Sequence, residues 1–130
     1  MAFAYDLVSP ERKLASGEAD SLQIPGAEGD LTALPNHAPF LTTLRPGVVT
    51  VRAGSDATEY VVTGGFAEIS PEAAAVLAEE AIPKSEANGD WFTAKLAEAE
   101  AAHEAAEGEA RIIAAQRIND FKFLAGQLGV

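Results

Sequence analysis

Residues 24–47 constrain the fold of this chain more than any other stretch. They read Ile24-Pro25-Gly26-Ala27-Glu28-Gly29-Asp30, then Leu34-Pro35-Asn36-His37-Ala38-Pro39-Phe40, then Leu44-Arg45-Pro46-Gly47. Four of the chain's seven prolines and three of its eleven glycines fall here. Short apolar runs separate the turns, and a chain that reverses this often has no room for helices between reversals.

The alternation extends from Phe3 to about Pro83. In an extended backbone Phe3, Tyr5 and Leu7 share one face, and Ala4, Asp6 and Val8 the other. Residues 48–52 and 60–63 are rich in β-branched side chains and bracket Gly54-Ser55-Asp56, a hairpin signal. Phe66 opens a further run before Pro71, and Ala75-Val76-Leu77 comes after it. Eight to ten short strands with no helical pattern between them predict a β-sandwich and argue against a parallel βαβ sheet.

The pattern changes after Pro83. Lys84-Ser85-Glu86-Ala87-Asn88-Gly89-Asp90 is polar and marks a boundary, giving a sandwich over residues 1–84 and a helical part over 85–130. Alanine and glutamate dominate beyond this boundary, with Asp90 as the expected N-cap and Trp91 at the first turn. Gly108 reads as the turn of an antiparallel α-helical hairpin. The second helix is expected over residues 110–125, with Ala114, Ile118, Phe121, Ala125 and Leu128 on its apolar stripe and with Gly126 and Gly129 fraying its end. Trp91 is expected to pack the hairpin against its neighbour. Helices of this length are marginal alone in water, so the hairpin must rest on something.

Charge narrows the function. Twenty acidic residues face nine basic ones, with no basic run, so nucleic acid is not an expected partner. Partners with positive patches suit such a chain. No cysteine is present, which removes disulfides and thiolate chemistry. The N-terminus reads neither as a secretory signal nor as an Arg-rich leader, and no apolar run approaches the roughly 20 residues that span a bilayer.

Catalytic and metal-binding residues are not expected. His37, between Asn36 and Ala38-Pro39, lacks a nucleophile motif around it and reads as a loop histidine bonded to backbone groups. A hydrolase or small-molecule site centred on His37 is the alternative from another functional class. His103 lies on an Ala/Glu helix face, and two histidines so far apart without cysteine do not make a zinc motif. The glycine-rich stretch 26–30 lacks the Gly-Lys-Ser/Thr ending of a phosphate loop, and Glu28 and Asp30 would repel phosphate. Gly64-Gly65 reads as a bend or close backbone approach. Arg111, Arg117 and Lys122 are a loose basic distribution on the second helix.

The order of the motifs resembles one family. Val8-Ser9-Pro10-Glu11, Ser16-Gly17-Glu18-Ala19, Pro25-Gly26-Ala27-Glu28-Gly29-Asp30, Leu34-Pro35-Asn36-His37-Ala38-Pro39, Leu44-Arg45-Pro46-Gly47 and Thr63-Gly64-Gly65-Phe66-Ala67-Glu68 are together similar to the epsilon subunit of the bacterial F-type ATP synthase. The resemblance implies a ten-stranded sandwich with a helical hairpin and a non-catalytic rotor subunit of the central stalk. It implies the gamma subunit and the c-ring as partners, and proton flow coupled to ATP synthesis at the cytoplasmic face of the bacterial inner membrane. It points to Glu28, Gly29, Asp30, Leu31, His37, Ala38 and Pro39 as partner-facing residues. The alternative it allows is a regulatory inhibitor whose hairpin, with Arg111, Arg117 and Lys122, extends toward the alpha and beta subunits. The family's ATP-holding signature places an arginine where this chain has Thr93, so no cofactor is expected.

Overall fold

The computed structural model describes residues 2–36 and 38–130 and divides the chain into two compact units, Met1–Lys84 and Ser85–Val130.

The first unit is all β. Among the described residues, ten strands run in order: β1 (Phe3–Val8), β2 (Lys13–Ala19), β3 (Ser21–Gly26), β4 (Gly29–Ala33), β5 (Phe40–Leu44), β6 (Gly47–Ala53), β7 (Asp56–Val62), β8 (Gly65–Ile69), β9 (Ala73–Ala78) and β10 (Ala81–Pro83). They form one hydrogen-bonded path, β10-β7-β6-β3-β5-β8-β9-β1-β2, with β4 paired to β3 off the path. Every pairing is antiparallel except β1 with β9. The path folds over on itself and brings β2 back beside β6 and β10, which makes the expected sandwich.

The period-2 alternation drives this closure. Phe3 and Leu7 of β1 turn inward, as do Leu22 and Ile24 of β3, Val49 and Val51 of β6, Ala67 and Ile69 of β8, and Ala74, Val76 and Ala78 of β9. Tyr5 and Tyr60 are half-buried at the edge of this core. Gly65 begins β8 with φ +123°, a conformation L side chains rarely adopt. A Cβ there would run into the Leu77 carbonyl oxygen and stand 2.9 Å from Ala78 Cα. The close backbone approach expected at Gly64-Gly65 is therefore real, and it sets β8 against β9.

The second unit opens after a 3₁₀ turn (Lys84–Glu86) with α1 (Gly89–Ala105), then α2 (Glu109–Leu128), packed as a hairpin. Two sequence expectations need correction. The N-cap of α1 is Asn88, whose Oδ1 accepts from the Trp91 backbone N–H at 2.9 Å; Asp90 lies inside the first turn. The cap must be extended while Asp90 is already helical, so Asp90 contributes its charge to the helix start instead. Nor does Gly126 fray α2. The helix runs through it to Leu128, and Gly129 closes it in the left-handed conformation (φ +75°) with its N–H on Ala125 and Gly126 carbonyls.

Trp91 meets Phe92 edge-on at 4.9 Å between ring centres and Phe121 at 6.4 Å. Lys95 Nζ stands 5.6 Å over the Trp91 ring and the Arg117 guanidinium 5.2 Å over Phe121. Such contacts seal a hairpin whose own apolar stripes are thin. On α2 the buried residues are Ala114, Phe121 and Leu124; Ile118, Ala125 and Leu128 are half-buried. Leu124, outside the expected stripe, sits three residues from Phe121 on the same side.

Candidate partner-binding surface

The turn between β3 and β4 is held from several directions. Pro25 pairs with Asp30 and Gly26 with Gly29, leaving Ala27 and Glu28 at the tip. The Ala27 N–H donates to Thr43 O at 2.9 Å and the Arg45 N–H to Pro25 O at 3.0 Å. The Arg45 side chain completes the brace. Its Nε donates to Gly26 O at 3.1 Å, and its Nη2 pairs with Asp30 Oδ1 at 2.7 Å. Gly47 passes so close to the Pro25 ring that no side chain fits there. Proline fixes φ on one side of the contact and glycine permits the approach on the other. Sequence reading placed Arg45 only in a motif; its reach across 15 residues to Asp30 exists only once β5 folds beside β3.

The loop after β4 is also tied down. Asn36 is left-handed (φ +65°), a conformation that asparagine tolerates, and its N–H donates to Pro71 O at 3.0 Å. Ala38 and Pro39 are exposed. His37 lies outside the described residues. Of the residues named for partner contact, Glu28, Gly29 and Asp30 are exposed at one end of β4, and Ala38 and Pro39 at the other. Residues 31–37 stand between the two groups in the chain. Leu31 lies between them, half-buried and packed against the core.

A larger surface lies on the outer face of β5, β8 and β9. Cross-strand registers align Thr43, Phe66, Leu77 and Val8 in one row, and Leu41, Glu68, Ala75 and Asp6 in the next. Leu41 is 67% exposed, Phe66 44% and Leu77 39%. Strand β9, Ala-Ala-Ala-Val-Leu-Ala, has no polar side chain on either face. A strand apolar on both faces is normally covered on both. Here one face meets the core, and the other carries this exposed patch. The alternation in Gly65-Phe66-Ala67-Glu68-Ile69 signals the outward Phe66, although sequence reading treated the run only as a strand.

Arg111, Arg117 and Lys122 do not converge. Arg111 Nε reaches His103 Nε2 at 3.4 Å near the hairpin turn, Arg117 lies over Phe121, and Lys122 is exposed. Thr93 Oγ1 donates back to Gly89 O at 2.9 Å. Among the described residues, no group of three His, Cys, Asp or Glu is arranged to hold a metal ion, and no helix is long and apolar enough to cross a membrane.

The sandwich unit matches a known family. Residues 2–84 fit the model for the ATP synthase Delta/Epsilon chain beta-sandwich domain. An ATP synthase epsilon chain from Rhodobacter capsulatus is 44% identical over 126 residues, spanning 97% of this chain and 96% of that one. This chain belongs to the ATP synthase epsilon chain family. The epsilon chain of Ruegeria sp. (strain TM1040) is 65% identical over 82 residues, an alignment covering 63% of this chain and 60% of that relative. Among solved structures, a chain of the Euglena gracilis mitochondrial ATP synthase (OSCP/F1/c-ring in rotational state 1) aligns over 98% of this chain and 81% of its own length. Its TM-score is 0.75 at 24% identity, so it attests the fold. Family membership makes the chain a non-catalytic central-stalk subunit of an F-type ATP synthase, as the sequence resemblance implied.

Proposed function

We propose that this epsilon chain is a mechanical adaptor that joins the gamma subunit to the c-ring, turns with them and couples proton flow to ATP synthesis. The observation that carries the reading is the set of exposed apolar side chains on the outer face of β5, β8 and β9, presented by a sandwich whose turns are cross-braced. That face, with Leu41, Phe66 and Leu77 exposed, suits an apolar protein surface such as gamma. The acidic turn at Glu28, Gly29 and Asp30 suits basic or amide groups on the c-ring, and the loop at His37, Ala38 and Pro39 offers a second, separate contact. Torque transmission requires stiff turns, and Arg45 stiffens the one between β3 and β4. The chain would sit at the cytoplasmic face of the bacterial inner membrane, held there through the complex.

Co-purification with gamma tests the reading. Phe66→Asp and Leu77→Asp place charges in the patch without touching the core, and each should abolish recovery of the complex while leaving the isolated fold intact. Full recovery with both changes would overturn the assignment of this face.

A second reading has its own observation. On α2, Ile112 and Phe123 are 69% and 66% exposed and lie three helical turns apart on one side, away from Phe121 and Ala114. A helix apolar on two sides suits two partners in turn, as an inhibitor reaching the alpha and beta subunits requires. Deleting residues 85–130 should then raise ATP hydrolysis by the assembled enzyme; unchanged hydrolysis leaves only the coupling role. ATP itself is not an expected ligand. Thr93 offers a phosphate no cation, and its hydroxyl is bonded to Gly89 O. A calorimetric titration with ATP should be flat, and micromolar binding would contradict this.

A further inference from the structure

We propose that Asn88-Gly89 is a site of spontaneous backbone-mediated deamidation, placed where the helical unit begins. Of the three asparagines, Asn36, Asn88 and Asn119, only Asn88 precedes glycine. Both residues of the pair are exposed. Asn88 has φ −91° and ψ −177°, which sets its Cβ gauche to the Gly89 nitrogen. Rotation about the Asn88 Cα–C and Cα–Cβ bonds brings the carboxamide carbon to that nitrogen. A Cβ built on Gly89 meets nothing within 4 Å, so the space beside that residue is open. Gly89 is also the first helical residue, and its N–H has no acceptor within the helix.

The helix start assists the chemistry. The Trp91 N–H donates to Asn88 Oδ1 at 2.9 Å and so polarises the carboxamide. Together with the positive end of α1, it stabilises the oxyanion that forms on attack. A solvent base removes the Gly89 N–H proton, and the nitrogen bonds to Asn88 Cγ. Asn88 Nδ2 leaves as ammonia, and a five-membered succinimide results. Water then opens the ring. Cleavage of the new N–Cγ bond gives an ordinary aspartate at 88. Cleavage of the original peptide bond gives isoaspartate, with an extra methylene in the main chain. No oxidant or reductant takes part.

The two products differ in consequence. Aspartate still caps α1, with a charge the helix start favours. Isoaspartate carries its carboxylate directly on Cα, in the wrong place to reach the Trp91 N–H. The first turn, including Trp91, then loses its cap. The inference stands whether or not the hairpin regulates hydrolysis.

The test uses the purified full chain incubated at mildly alkaline pH. Peptide mass mapping and isoaspartyl methyltransferase labelling track all three asparagines. Asn88 should convert well ahead of Asn36 and Asn119, with isoaspartate among the products. Gly89→Ala, which has open space for its methyl group, should slow conversion roughly tenfold or more because the Cβ hinders the attacking nitrogen. Hydrogen exchange over the first turn of α1 should be faster in the isoaspartate fraction than in unmodified chain. Conversion at Asn88 no faster than at Asn119, or a rate untouched by Gly89→Ala, would overturn the proposal.

Discussion

At the scale of single residues, backbone geometry and burial set the tolerances. Gly65 combines a positive φ with a wall of β9 backbone where a side chain would stand. Gly65→Ala should destabilise the sandwich by about 2–3 kcal/mol, read as a lowered urea midpoint with an unchanged slope. Tyr5 gives a pH signature. Burial, and secondarily the neighbouring Tyr60, raise its hydroxyl above the ordinary value of 10.0. The folded state thus favours the neutral phenol more than the unfolded chain does. The stability linked to Tyr5 is intact below pH 10.0 and is lost as pH climbs through the raised value. Tyr5→Phe should flatten that alkaline decline in a denaturation series, whereas a decline of the same steepness would remove Tyr5 as its cause. Arg45 shows how far composition alone falls short. Its partners, Gly26 and Asp30, lie 19 and 15 residues away, and no local pattern announces them.

At the scale of elements, the strands and helices differ in what supports them. Strands share one continuous core, so each is held by its neighbours. The helices rest on a short aromatic seam of Trp91, Phe92 and Phe121. Phe121→Ala should cost the hairpin about 3–5 kcal/mol and melt much of its helical circular dichroism. The β signals of residues 3–83 in an NMR spectrum should persist. Collapse of both sets together would mean that the units unfold as one. The element boundaries were legible where chemistry marks them: Pro83 for the end of the sheet, Gly108 for the hairpin turn. They were misread where two capping residues compete, as Asn88 and Asp90 do, because either side chain can cap and only backbone angles decide.

For the whole molecule, the division after Lys84 predicts autonomy. A chain ending at Lys84 should fold cooperatively into the same sandwich and should still co-purify with gamma through Phe66 and Leu77. Failure of that fragment to bind, while folded, would shift the docking surface to the helical unit. The outer sheet face also sets a solubility hazard. Phe66→Asp or Leu77→Asp should improve the behaviour of the isolated subunit even as it loses its partner, because an uncovered apolar face serves binding at the expense of solubility.

Alternation, turn residues and the loss of both after Pro83 were enough to determine a sandwich and then a hairpin, since periodicity depends only on neighbours along the chain. The ordered motifs of residues 8–68 carried the family resemblance for the same reason. Tertiary structure decided the rest. It alone brought Arg45 to Asp30 and joined Leu41, Phe66 and Leu77 into one exposed face. These are contacts between residues distant in sequence, and strand register, which no local pattern encodes, determines which of them meet.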